Sequence, residues 1–125
     1  SHPRAANANE AVAVRARKPT PELLALVAGR FRALADPSRL AVLHALERGP
    51  LTVTAVVERT GLNQGNVSKH LQQLHANGFV GRVRKGLYVH YALADERVLA
   101  LCELMCDRLE SDISTARDTV FRKRA

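Results

Sequence analysis

The chain has 125 residues, 46% hydrophobic and 25% charged, and its 19 Lys and Arg outnumber 12 Asp and Glu to give a formal net charge of +7. That length suits one domain of roughly 100–150 residues, and the apolar fraction excludes wholesale disorder. No apolar run approaches the roughly 18 residues of a membrane span, no secretory h-region is visible, and the two cysteines are too few for a disulfide framework. A basic chain of this kind is expected in the cytoplasm with a polyanionic partner, nucleic acid first.

Residues 1–19 are rich in Ala and Asn, carry four bases against one acid, and show no sustained hydrophobic period. They read as a flexible basic arm in front of a domain spanning residues 20–125. Thr20-Pro21-Glu22 supplies a capping hydroxyl, Pro at the first helical position and an acid in the first turn. Leu23, Leu24, Leu26, Val27, Phe31 and Leu34 follow at helical spacing, which predicts a first helix over about 21–35. Asp36-Pro37 repeats the capping device. The second helix then carries Leu40, Leu43 and Leu46 and is expected to stop at Gly49-Pro50. Leu51 reads as a short extended link.

Thr52 caps a third helix, Val53 to about Thr60, with Val56 and Val57 inward and Gly61 ending it. Asn63 caps a fourth, about Gln64 to Ala76, with Val67, Leu71 and Leu74 on one face and Asn77-Gly78 closing it. Phe79 to Lys85 and Tyr88 to Leu93 read as two strands joined across Lys85-Gly86-Leu87. The last element runs from about Asp95 to Arg122. In it Val98, Cys102, Met105, Leu109, Ile113, Ala116 and Val120 recur at spacings of four and three. Leu101 and Leu104 add a second apolar edge. At 1.5 Å per residue this helix would be about 40 Å long, too long for a small domain to cover alone.

The net charge is patterned. Residues 59–94 hold five bases and no acid, residues 95–114 two bases and six acids, and residues 115–125 four bases and one acid. The third and fourth helices followed by a basic hairpin form a winged helix-turn-helix, so the expected fold is mainly α with a small β-hairpin. With Val67, Leu71 and Leu74 inward, a 100° step per residue turns Gly65, Asn66, Ser68, Lys69, Gln72 and Gln73 outward, beside Gln64 at the helix start. These are short, polar or basic, as a helix in a major groove requires. Asn and Gln pair bidentately with adenine, and Lys reaches guanine or phosphate. Gly65 allows close backbone approach to a phosphate. Arg82, Arg84 and Lys85 make the hairpin a wing for phosphates or a minor groove.

Asp36-Pro37-Ser38-Arg39-Leu40 and Asn63-Gln64-Gly65-Asn66-Val67-Ser68-Lys69-His70-Leu71 resemble two signatures of the ArsR/SmtB family of bacterial winged-helix repressors. The first is similar to that family's D-P-x-R-L start of the second helix, the second to its recognition helix. Asn77-Gly78-Phe79-Val80 and the wing ending in Val89-His90-Tyr91 continue the likeness, which covers about residues 21–122. The resemblance implies a homodimer that represses from an imperfect palindrome and is released by an inducer. It also adds His70, matching the family's recognition-helix His, to the candidate DNA contacts.

A dimer follows from the sequence as well. Two copies of the last helix can bury each other's stripe (Val98, Cys102, Met105, Leu109, Ile113) together with the first helix. Many members of the resembled family sense metals. One of their patterns, a Cys pair in the third helix, finds no thiol in Leu51 to Val57. Another, Asp-x-His with a distant His-x-x-Glu on the last helix, finds no His beyond His90. Cys102 and Cys106 remain, one turn apart on the last helix. They read either as a soft-metal or metalloid pair, as a redox- or sulfur-modified pair, or as packing residues. His44 reads as structural, His75 and His90 as surface groups, and Met105 as apolar packing. A competing reading is an architectural protein binding DNA without sequence preference. No G-x-S-x-G, H-E-x-x-H, P-loop or dinucleotide fingerprint occurs, so no enzyme is expected.

Overall fold

A computed structural model describes residues 18–124, with side chains placed through residue 119. The predicted arm lies outside the described residues except for Lys18 and Pro19, which are exposed. The elements are α1 (Pro21–Leu34), α2 (Pro37–Ala45), α3 (Val53–Thr60), α4 (Gln64–Ala76), β1 (Val80–Lys85), β2 (Tyr88–Leu93) and α5 (Arg97–Arg124). The chain divides into two units, Ser1–Arg32 and Ala33–Ala125.

In the first unit, Thr20 starts α1. Its hydroxyl accepts from the Leu23 N–H at 3.1 Å and its carbonyl from the Leu24 N–H at 3.0 Å. Leu23, Leu24, Leu26, Val27 and Phe31 are all exposed.

In the second unit, each predicted cap is made. The Asp36 carboxylate accepts from the backbone N–H groups of Ser38 and Arg39 at 2.8 and 3.1 Å. The Thr52 hydroxyl accepts from Ala55 N–H, and the Asn63 side-chain oxygen from Asn66 N–H. Gly61 sits at φ 75 and its N–H donates to the Val57 carbonyl at 2.8 Å, the left-handed ending that a side chain would oppose.

The helices converge on one apolar core. Val42, Leu43, Val56, Val67, Leu71 and Leu74 are fully buried, joined by Leu34, Ala45, Leu46, Val80, Tyr91 and Val98. Among the described residues no polar or charged side chain is buried. Each fully buried Leu contributes roughly 1.5–3 kcal/mol by leaving water.

The hairpin is antiparallel, in register from Val80 opposite Leu93 to Lys85 opposite Tyr88. Gly86 and Leu87 make the two-residue turn, with Gly86 at φ 62. Leu51 bridges Tyr91 through both backbone bonds, at 2.9 and 2.8 Å, so the expected extended link becomes a one-residue third strand at the hairpin's base.

Three boundaries differ from expectation. α2 ends at Ala45, and Leu46, Glu47 and Gly49 continue in tighter turns whose N–H groups reach back three residues. Helical geometry is disfavoured just before Pro50, and Gly49 is at φ 140. β1 begins at Val80 because Phe79 closes the α4 turn, its N–H donating to the Leu74 carbonyl at 2.9 Å. α5 begins at Arg97, with Asp95 outside as an acceptor for the Arg97 N–H at 2.9 Å. The Arg97 guanidinium also grips Asp95 at 2.7 Å.

Leu71→Ala should lower stability by about 2–5 kcal/mol, read as a reduced urea midpoint. The exposed Gln72→Ala on the same helix should stay within about 0.5 kcal/mol of the parent. The Asp95 carboxyl is pulled from its usual 3.8 to about 2, first by side-chain hydrogen bonds from Arg97. Its contribution to stability is therefore present above the usual value and is lost as pH falls towards about 2. A carbon-13 titration of Asp95 should find its midpoint near 2 in the parent and shifted upward in Arg97→Ala, though still below the ordinary aspartate value because the backbone N–H of residue 97 continues to donate.

Candidate nucleic-acid interface

The three buried side chains of α4 decide which residues face solvent. Gln64, Gly65, Asn66, Lys69, Gln72 and Gln73 are exposed, whereas Ser68 and His70 are half-buried at the edges of the apolar stripe. A Cβ built on Gly65 would lie 3.6 Å from the Asn63 side-chain oxygen, an ordinary contact. Nothing nearby inside the chain therefore demands glycine at this position.

The hairpin's register puts Arg82 opposite Tyr91 and Arg84 opposite Val89. Directly opposed residues share a sheet face, so both arginines lie on the face whose base is buried through Val80 and Tyr91. Burial fades along the hairpin. Arg82, Arg84, Lys85, Gly86 and Leu87 are all exposed, and Arg84 Nε donates to the Gly86 carbonyl at 3.3 Å. The wing is thus a protruding basic finger whose turn is braced by one of its own arginines.

Two polar groups have partners inside the fold. Arg59, one of the five bases of the acid-free segment, donates from Nη1 to the Ala45 carbonyl at 3.4 Å, satisfying the C-terminal end of α2. That leaves Lys69, Arg82, Arg84 and Lys85 as the cations of α4 and the wing. Gln73 is exposed, yet its Oε1 accepts from Arg39 Nη1 at 2.7 Å. In the sequence Arg39 stands out only as part of Asp36-Pro37-Ser38-Arg39-Leu40. This partnership spans 34 residues and follows no periodicity, so only the folded chain reveals it. The Asp36 carboxyl is held below its usual range, chiefly by the Arg39 backbone N–H and then by Ser38, with the His70 ring adding to the effect.

On α5, Val98 is buried in this chain's own core. The stripe changes character after it: Leu101, Leu104, Met105, Leu109 and Ile113 are all exposed. Cys102 is half-buried and Cys106 exposed, both as free thiols. Burial, then the neighbouring Cys106, pushes the Cys102 thiol up. Among the described residues no group of three or more His, Cys, Asp or Glu side chains could hold a metal ion. His44 is exposed, away from the core beside which it was expected. His75 and His90 are half-buried rather than surface groups, and His90 Nδ1 is buried without a hydrogen-bond partner.

No helix among the described residues is long and apolar enough to cross a membrane. The family model for bacterial regulatory proteins of the arsR family matches residues 36–81, from the cap of α2 into β1. The probable mercury resistance operon repressor of Streptomyces lividans is 39% identical over 92 residues, spanning 74% of this chain and 73% of that one. A homodimeric winged helix-turn-helix DNA-binding domain from Mycobacterium bovis superposes with a TM-score of 0.65 at 36% identity, covering 72% of this chain and 87% of that one. The AntR antimony-specific transcriptional repressor gives a TM-score of 0.67 at 32% identity, covering 82% and 94%. With capped helices, an outward polar α4 and a basic wing in one chain, these matches make it a member of the ArsR family and a winged helix-turn-helix DNA-binding transcriptional regulator.

Proposed function

We propose that the protein is a homodimeric repressor that reads an imperfect palindrome with α4 and the wing and is released by a thiol-directed inducer at Cys102 and Cys106. The observation that carries the DNA reading is the outer face of α4, exposed, polar and free of acids opposite three fully buried side chains. Asn66 and Gln72 present amides for base edges, Lys69 a charge for guanine or phosphate, and Gln64, Gly65, Ser68 and His70 surround them. Arg82, Arg84 and Lys85 of the wing meet phosphates or an adjacent minor groove. Residues 20–125 act as the DNA-binding and dimerising domain.

The exposed apolar side chains of α1 and of α5 support the dimer, because a long apolar stripe in water is costly. Met105, Leu109, Ile113 and Cys102 line the α5 contact. Val98 supports it from within the core. A two-fold pair places its recognition helices one DNA turn apart, so half-sites lie roughly 10 bp centre to centre.

Two thiols one helical turn apart suit a soft, thiophilic ion of low coordination number. They do not complete the four-ligand set of a structural zinc site within one protomer. The names of two relatives, one for mercury resistance and one for antimony, agree with soft-ion chemistry. Because Cys102 is held as a thiol, binding must release its proton, and apparent affinity rises with pH up to its raised pKa.

At fixed salt, binding to the true palindrome should exceed binding to random duplex by about a thousandfold or more. A ratio near one would support the architectural reading and sink this one. Lys69→Ala should weaken operator binding roughly tenfold and, if it meets phosphate, lower the salt slope by about one. The double variant Cys102→Ser, Cys106→Ser should keep DNA affinity but no longer be released by arsenite, antimonite, mercuric ion or peroxide, each titrated separately. Release that survives the double substitution would move sensing to another part of the chain.

A further inference from the structure

We infer that Arg39 is a positioning residue for DNA recognition, a two-armed clamp that sets the rotation of α4 from its outer face. The inference rests on the reading that α4 enters the groove. Arg39 is half-buried at the start of α2, and its backbone N–H is fixed by the Asp36 cap at 3.1 Å. From this anchored base one arm of the guanidinium, Nε, donates to the Ala33 carbonyl in the last turn of α1 at 2.6 Å. The other arm, Nη1, donates to Gln73 Oε1 on α4 at 2.7 Å.

The position of Gln73 gives the clamp its consequence. Gln73 lies one helical turn beyond Lys69, on the same side of α4, and Asn66 lies one turn before. The buried stripe restrains α4 from the inside. Arg39 restrains it from the side that carries the groove-facing residues. A planar guanidinium can hold two acceptors in a fixed fork, which a lysine ammonium cannot reproduce. The contact also orients the Gln73 amide: its carbonyl accepts from Arg39 through one of two lone pairs, so any hydrogen bond Gln73 makes to a base is made in the orientation Arg39 sets.

Arg39 could instead meet a phosphate directly, and charge-preserving substitution separates the two roles. Affinity for the palindrome, affinity for random duplex and the salt slope are measured for Arg39→Lys, Gln73→Ala and their combination, with urea midpoints for each. The clamp predicts that Arg39→Lys weakens palindrome binding about tenfold with an unchanged salt slope, and that random-duplex binding barely moves. Gln73→Ala should cause a similar loss, and the double variant no more than either alone. Parent-like affinity in Arg39→Lys, additive losses in the double variant, or losses that track the urea midpoint would each overturn the clamp. Asn66→Ala and Lys69→Ala distinguish this failure from failure of the underlying reading. If those two variants bind like the parent, α4 is not in the groove. If they weaken binding while the Arg39 and Gln73 variants do not, the clamp alone is wrong.

Discussion

The burial of Val67, Leu71 and Leu74 is the constraint on which the rest of this molecule depends. These side chains are fully excluded from water and share one core with α2, α3, the base of the hairpin and the start of α5. Once they are fixed, helical geometry leaves no freedom over the outer face. A one-residue shift of the stripe would turn Ser68 and Gln72 inward and strand polar groups without partners, at roughly 1–3 kcal/mol each. The polar outer face of α4 is thus a by-product of apolar packing. Gly61 and the Asn63 cap add the other requirement, since they fix where α4 starts.

Charge follows the same partition. The four cations of α4 and the wing stand on elements that project from the core, and the acid-free stretch ensures that nothing in that segment opposes a phosphate. The acids resume at Asp95, and from there along α5 they flank an exposed apolar stripe. Acids on α4 or the hairpin would repel a polyanion, whereas along α5 they keep an exposed apolar surface soluble. The net charge of the whole chain conceals this division.

Local chemistry was legible in the sequence and long-range chemistry was not. Asp36, Thr52 and Asn63 cap helices as their residue types and spacings require, and Gly61 takes the left-handed ending. The core stripe of α4 and the two-residue wing turn were equally readable, because each depends on neighbours a few positions away. The end of α2 was misplaced because tightened turns continue past the helix without changing the apolar spacing. Val98 looked like the first residue of an assembly stripe, since periodicity cannot say whether a face meets its own core or another chain. Gln73 shows a similar limit: its exposure was predictable, its engagement by Arg39 was not. The histidines were placed least well, since their amphipathic rings give no periodic signal.

Val98 also bears on how an event at the cysteines could reach DNA. It lies one helical turn before Cys102 and is packed in the same core that holds Leu71. Under the proposed function, an ion bridging Cys102 and Cys106 must favour an arrangement of α5 different from the DNA-bound one. Coupling free energies between sites are typically about 1–3 kcal/mol, enough for roughly 5–150-fold release. Full burial of one valine side chain is worth roughly 1.5–3 kcal/mol. The two ranges overlap, so a partial withdrawal of Val98 would supply coupling of the required size without unfolding the domain. The same core would transmit the change, because Val98 and the inner face of α4 cannot repack independently at close-packed density.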